Sequence, residues 1–170
     1  MKPLDDHGTI CASPSAPKPT EAQISAAPRF VWDDDYALGH RSMDETHHEF
    51  VACVNALLTV GDDGIAAALE TFAEHANRHF GEEDDAMRAS AYGSAGCHID
   101  EHAAVLRSVD EVREALAQGR TQVVRAFAKA LVDWFPEHVR VMDQGLARWL
   151  VQQELGAAPV VIRRRLDLAA

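Results

Sequence analysis

Between Ser42 and Gly156 the large apolar residues recur at steps of three and four in four successive segments. Such steps put them on one face of an α-helix. The first segment opens near Ser42 or Asp44, with Glu45 three residues after Ser42 as in a capping box, and carries Phe50, Val51, Val54, Leu57 and Leu58 up to Gly61. The second opens near Asp63 and runs Ile65, Leu69, Phe72, Ala76, His79, Glu83 and Met87. The third opens near Gly96 and runs His98, His102, Val105, Val109, Val112 and Leu116 to Gly119. The fourth, capped by Thr121, runs Val124, Phe127, Leu131, Trp134 and His138 and ends near Gly156. No strand-like alternation competes. Short links between four amphipathic helices predict an all-α, antiparallel, up-down-up-down four-helix bundle. Phe30, Val31, Trp32, Tyr36 and Leu38 form an apolar arm before it, ending at Gly39. The expected organisation is a disordered, proline-punctuated extension over 1–28, a bundle over 29–155 and a tail over 156–170.

The informative positions are polar ones inside the apolar stripes. His79 and Glu83 take two places in the second stripe, His98 and His102 two in the third, and His138 one in the fourth; His47, three before Phe50, joins the first. Burying an unpaired imidazole or carboxylate costs several kcal/mol or more, about 2–7 even for a neutral polar group. Convergence of all of them on a metal removes that penalty. His98 with His102, and His79 with Glu83, stand one turn apart, about 6 Å along the axis, so each pair can reach one ion. His138 and Asp143 are five apart, a turn of roughly 140° that aims Asp143 off the core face of a regular helix. Either Asp143 is a solvated surface residue or a local π-bulge brings it inward. Leu146 and Leu150 keep the phase of Asp143, and Pro136 removes a helix hydrogen bond just upstream. His75 forms a second HxxxH pair with His79 but lies roughly 80° from the centre of its stripe, a flanking position. His7, His40 and His48 read as surface residues.

Composition narrows the chemistry. Sixteen Lys and Arg against 27 Asp and Glu give a net charge of −11, which disfavours nucleic acid and anionic membranes as partners. No apolar run approaches the roughly 20 residues of a membrane span, and the first twelve residues carry Lys2, Asp5, Asp6 and His7 where a signal peptide needs an apolar core. A cytoplasmic protein is the expectation. Cys11, Cys53 and Cys97 form no metal-binding or disulfide pattern, and Cys53 and Cys97 read as small buried hydrophobes. Five histidines and two carboxylates exceed one tetrahedral zinc and suit two metals with carboxylate bridges. Residue type leaves iron, copper, zinc and nickel open.

From Phe30 to about Leu150 the chain resembles the bacterial haemerythrins. The likeness is carried by the Trp32 arm with Leu38-Gly39, Asp44-Glu45-Thr46-His47, His79-Phe80-Gly81-Glu82-Glu83, His98-x-x-x-His102, and Trp134-Phe135-x-x-His138-Val139-x-x-x-Asp143. This fold is a standard example of the four-helix bundle. The resemblance implies two iron ions joined by an oxo or hydroxo bridge. His98, His102 and His138 would hold one ion, His47 and His79 the other, and Glu83 and Asp143 would bridge. Dioxygen would bind reversibly at the vacant position on the two-histidine ion, in a pocket walled by Phe50, Phe80, Trp134, Phe135 and Val139. Phe135 stands where a leucine is common in the family, and Pro136 is a less usual stiffening. The reading favours an oxygen-binding protein for storage, delivery or sensing over an enzyme. Its rivals are a di-iron redox enzyme acting on nitric oxide or peroxide, and an oxygen-responsive interaction module with an unidentified protein partner.

Overall fold

The computed structural model describes residues 29–156, and the extension over 1–28 and nearly all of the tail lie outside them. The helices are α1 (Arg41–Thr59), α2 (Ile65–Ala89), α3 (Ala95–Ala117) and α4 (Thr121–His138). A π-helical turn over Val139–Asp143 joins α4 to α5 (Gln144–Glu154), so α4 and α5 together make the fourth rod. Helix α1 packs on α2 and α4, α2 on α3, and α3 on α4. With links only a few residues long, neighbours run antiparallel and the expected up-down-up-down bundle closes. No strand occurs among the described residues, and none of their helices is long and apolar enough to cross a membrane.

Local chemistry explains the boundaries. Asp44 does not cap α1. Its carboxylate accepts from the backbone N–H groups of Leu38 (2.6 Å) and Gly39 (3.1 Å), tying the arm to the first turn. The expected capping box is also absent: Ser42 Oγ meets His40 Nδ1 at 3.2 Å and Glu45 pairs with Arg41 at 2.8 Å, because the helix begins at Arg41. Gly119 ends α3 at φ +80°, a left-handed conformation natural to glycine, and lets Arg120 N–H return to the Ala115 carbonyl at 3.1 Å. Thr121 is the first residue of α4, with Arg120 at the cap position. Asn55 clamps the arm by accepting from Phe30 N–H (2.8 Å) and donating to Phe30 O (2.7 Å). That seats the buried Phe30 ring edge-on against Phe135, with centroids 5.5 Å apart.

The buried apolar side chains fall into two clusters. The larger includes Phe50, Val54, Leu57, Leu69, Phe72, Val109, Phe127, Leu131 and Phe135; the smaller is Met43, Met87, Leu146 and Ala147. Along α1, α2 and the fourth rod, the stripe passes from one cluster to the other through a layer of buried polar groups. That layer contains His47, His79, Glu83, His98, His102, His138 and Asp143. Cys97 departs from expectation: it is exposed, since it precedes the inward His98 by one position and so faces solvent, while Cys53 is half-buried.

Candidate metal centre

All seven stripe residues with metal-ligand chemistry are at most 6% exposed, and they converge as two groups that share Glu83. One is Glu83, His98, His102, His138 and Asp143; the other is His47, His79 and Glu83. Within each, one ligand atom per residue lies within 4.8 Å of every other. The Nε2 atoms of His98 and His102 each stand 3.2 Å from His138 Nε2. Imidazoles about 2.1 Å from a shared divalent ion would place their nitrogens about 3.0–3.4 Å apart, so this spacing is that of ligands around an ion.

The carboxylates are divided between the groups. Asp143 presents Oδ1 to His98 Nε2 (3.0 Å) and His138 Nε2 (3.2 Å), and Oδ2 to His47 Nε2 (3.2 Å). Glu83 presents Oε1 to His79 Nε2 (3.0 Å) and Oε2 to His98 (3.6 Å) and His102 (3.5 Å). Several of these atoms lack hydrogen-bond geometry despite their proximity, among them Asp143 Oδ1 and Oδ2, Glu83 Oε2 and His47 Nε2. Orphaned buried polar atoms are costly. Here the ligand atoms of each group crowd within 4.8 Å of one another, and a bound cation would satisfy them. The residues present therefore fit bound metal, with Glu83 common to the two groups that would hold it.

Asp143 reaches this layer through the π turn. The N–H of Gln144 bonds to the Val139 carbonyl, five residues back, and the wider turn brings residues 138 and 143 onto one face. Pro136, which lacks a backbone donor, sits in α4 two residues before the helix end. Two further carboxylates were not anticipated from the sequence. Asp84 Oδ1 lies 2.8 Å from His102 Nδ1, and Glu101 Oε2 lies 3.1 Å from His138 Nδ1 while also accepting from Trp134 Nε1 at 3.3 Å. A proton kept on Nδ1 by such a partner leaves the Nε2 lone pair free for a metal and fixes the ring's orientation. Adjacency of Asp84 to Glu83 and of Glu101 to His102 was the available signal.

Aromatic rings close the layer on its apolar side. Phe50 and Phe135 stack at 4.6 Å, Phe135 meets His47 edge-on at 5.2 Å, and Phe80 stacks on His102 at 4.2 Å. Trp134 is half-buried and stacks on His138 at 4.2 Å, and Val139 is buried in the larger cluster. His75 is buried outside both groups, its Nδ1 3.2 Å from an Arg78 nitrogen and 3.4 Å from Glu49. His48 is exposed and stacks on Trp32 at 3.6 Å, whereas His40 is half-buried. His7 lies outside the described residues.

Burial, then the nearby Asp143 charge, raises the Glu83 pKa to about 8, and burial together with neighbouring His47 lowers His79 to about 3. Burial alone would raise the Asp143 pKa, but His138, His47 and His98 around it hold it well below the usual carboxylate range. Without metal, the Glu83–His79 pair is thus neutral near pH 7 and Asp143 is charged. A metal binding Glu83 must displace its proton. Affinity of the metal-free protein for Fe²⁺ should therefore rise with pH up to about 8, by about tenfold per pH unit for each proton displaced. Anaerobic titration against a chromogenic ferrous chelator between about pH 6 and 9 measures this; a pH-independent affinity would contradict the protonated Glu83.

A four-helix bundle with a buried layer of five histidines and two shared carboxylates is a metal-binding domain of the non-haem type. Sequence comparison agrees. The family model described as Hemerythrin HHE cation binding domain matches residues 38–150. The chain is 33% identical over 126 residues to a bacteriohemerythrin of Ralstonia nicotianae, covering 74% of this chain and 92% of that one. It is 26% identical over 114 residues to a hemerythrin of Siphonosoma cumanense, covering 67% and 88% respectively. A bacteriohemerythrin of Clostridium acetobutylicum is 23% identical over 124 residues, 68% of this chain and 96% of that one. This chain belongs to the haemerythrin family.

Proposed function

We propose that this chain holds two iron ions and binds dioxygen reversibly between them and the aromatic wall. The observation that carries the reading is the split of each carboxylate. Asp143 and Glu83 each turn one oxygen to the His98, His102 and His138 side and the other to the His47 and His79 side. Both carboxylates would thus serve an ion held by His98, His102 and His138 and another held by His47 and His79. When bound, the iron pair supplies the electrons and the vacant coordination position that dioxygen binding needs.

The chain's own residues set the conditions. Three imidazoles on one side against two on the other leave the His47 and His79 side short of a ligand, and small molecules would enter there. Asp84 and Glu101 hold His102 and His138 in the tautomer that keeps Nε2 available. Phe50, Phe135 and Val139 are each at most 1% exposed and pack the layer's apolar face, which excludes water and small anions from that face. Trp134 and Phe80 lie flat against His138 and His102 and restrict ring movement. A rigid site with an apolar wall of this kind favours holding oxygen and returning it over chemical turnover.

The test pairs an optical spectrum with an iron count. Anaerobically reduced, iron-loaded protein should carry about two irons per chain. It should gain a visible charge-transfer band in air and lose it when oxygen is removed. One iron per chain would break the bridged assignment. Irreversible oxidation on first exposure, or steady turnover of nitric oxide or peroxide with a reductant, would make the domain a redox catalyst instead.

A further inference from the structure

A cleft of about 260 Å³ opens between the first turns of α1, the C-terminal half of α2 and the end of α5. Its walls include Thr46, Met43 and Leu150, its rim carries Glu82, Glu154 and His40, and His79 and Glu83 bound it from within. Those last two residues are 3% and 6% exposed, so they form the floor, whereas Glu82 and Glu154 are exposed. Of the two floor residues, His79 has an Nδ1 without a hydrogen-bond partner, and Glu83 Oε1 lies 3.0 Å from His79 Nε2. At the rim, Ser42 Oγ engages His40 Nδ1 at 3.2 Å, leaving His40 Nε2 facing Glu154 Oε1 at 3.8 Å. Neither the groove over Trp134 nor the pocket beside His75 has one of the seven layer residues in its walls.

A passage serving only an apolar gas has no use for carboxylates at its mouth. A passage for a divalent cation does: acids concentrate the ion, and an imidazole–carboxylate pair takes over some of its water ligands before it reaches the buried ones. We propose that this cleft is the route by which ferrous iron enters the bundle, with Glu82, Glu154 and His40 as transient ligands that hand the ion to His79 and Glu83. The inference rests on the two-iron reading above. The three rim residues steer the ion and are not part of the finished centre. The chain's net charge of −11 adds a general attraction, from which the local effect must be separated.

The experiment uses the full metal-stripped chain, mixed anaerobically with Fe²⁺ at low ionic strength. The rate read is that at which the ion becomes inaccessible to a chromogenic ferrous chelator. The double variant Glu82→Gln, Glu154→Gln should take up iron about three- to tenfold more slowly and reach the same final iron content and optical spectrum. At about 0.5 M salt the difference should vanish through screening. A control with equal charge removed at the other end of the bundle, Asp63→Asn with Glu114→Gln, should match the parent. Equal rates for the rim variant and the parent at low salt would overturn the route, as would equal slowing by the control. If the parent takes up no iron, the two-iron reading falls and the route with it; uptake by the parent with unaltered variant rates removes the route alone.

Discussion

Replacing His102 by alanine is expected to take the iron content from about two ions per chain to well under one. His102 Nε2 stands 3.2 Å from His138 Nε2 and 3.5 Å from Glu83 Oε2, so its loss removes one donor from the three-histidine side and one neighbour from a bridging carboxylate. The second ion depends on the same bridge, which is why more than one iron should go. The ring also accounts for Asp84, whose Oδ1 lies 2.8 Å from His102 Nδ1, and for Phe80, stacked on it at 4.2 Å. Water cannot readily replace a ligand at a position 1% exposed. Elemental analysis of purified variant, with circular dichroism to establish that the bundle is intact, decides the matter. Two retained irons in a folded variant would sink the ligand assignment.

The second large effect is on lifetime. Phe135→Ala should keep the iron, because no ring atom of Phe135 is a metal donor, yet shorten the life of the oxygenated protein at least about tenfold, an added access worth roughly 1.4 kcal/mol of barrier. Phe135 is 1% exposed and sits at the junction of Phe50 (4.6 Å), Tyr36 (5.4 Å), Phe30 (5.5 Å) and His47 (5.2 Å). Its removal opens a void beside the side of the layer that carries fewer histidines, large enough to admit water and small anions. The same void should lower stability by about 3–5 kcal/mol. Because the fold loses margin as well, Phe135→Leu is the informative partner: it restores most of the volume and should recover most of the lifetime. The decay of the oxygen-dependent absorption band in air measures both variants. Identical lifetimes for parent and Phe135→Ala would mean that the aromatic wall does not guard the site.

The architecture was legible because a bundle is a one-dimensional problem repeated four times. Steps of three and four located α1 to α4, and the polar residues in those stripes named the buried layer. Where the reading went astray, the cause was local competition for backbone donors. Asp44 caps the arm rather than the helix: the helix begins at Arg41, which leaves Asp44 inside the first turn with its carboxylate accepting from Leu38 and Gly39 N–H. Cys97 faces water because its neighbour His98 takes the inward position.

The sequence by itself placed His47, His79, Glu83, His98, His102 and His138 in the buried stripes, since helical period and side-chain chemistry are both written along the chain, but it put the buried His75 at a flanking position. It also raised the question of Asp143 without answering it. Only the tertiary structure decided that the helix widens over Val139–Asp143 to turn that carboxylate inward, because a π turn trades one hydrogen-bond register for contacts made by other helices. Only the tertiary structure brought Asp84 to His102 and Glu101 to His138 across helix boundaries, and put a cleft with an acidic rim above His79 and Glu83. Those relations depend on the angles and depths at which four rods meet, and no periodicity within one rod encodes them.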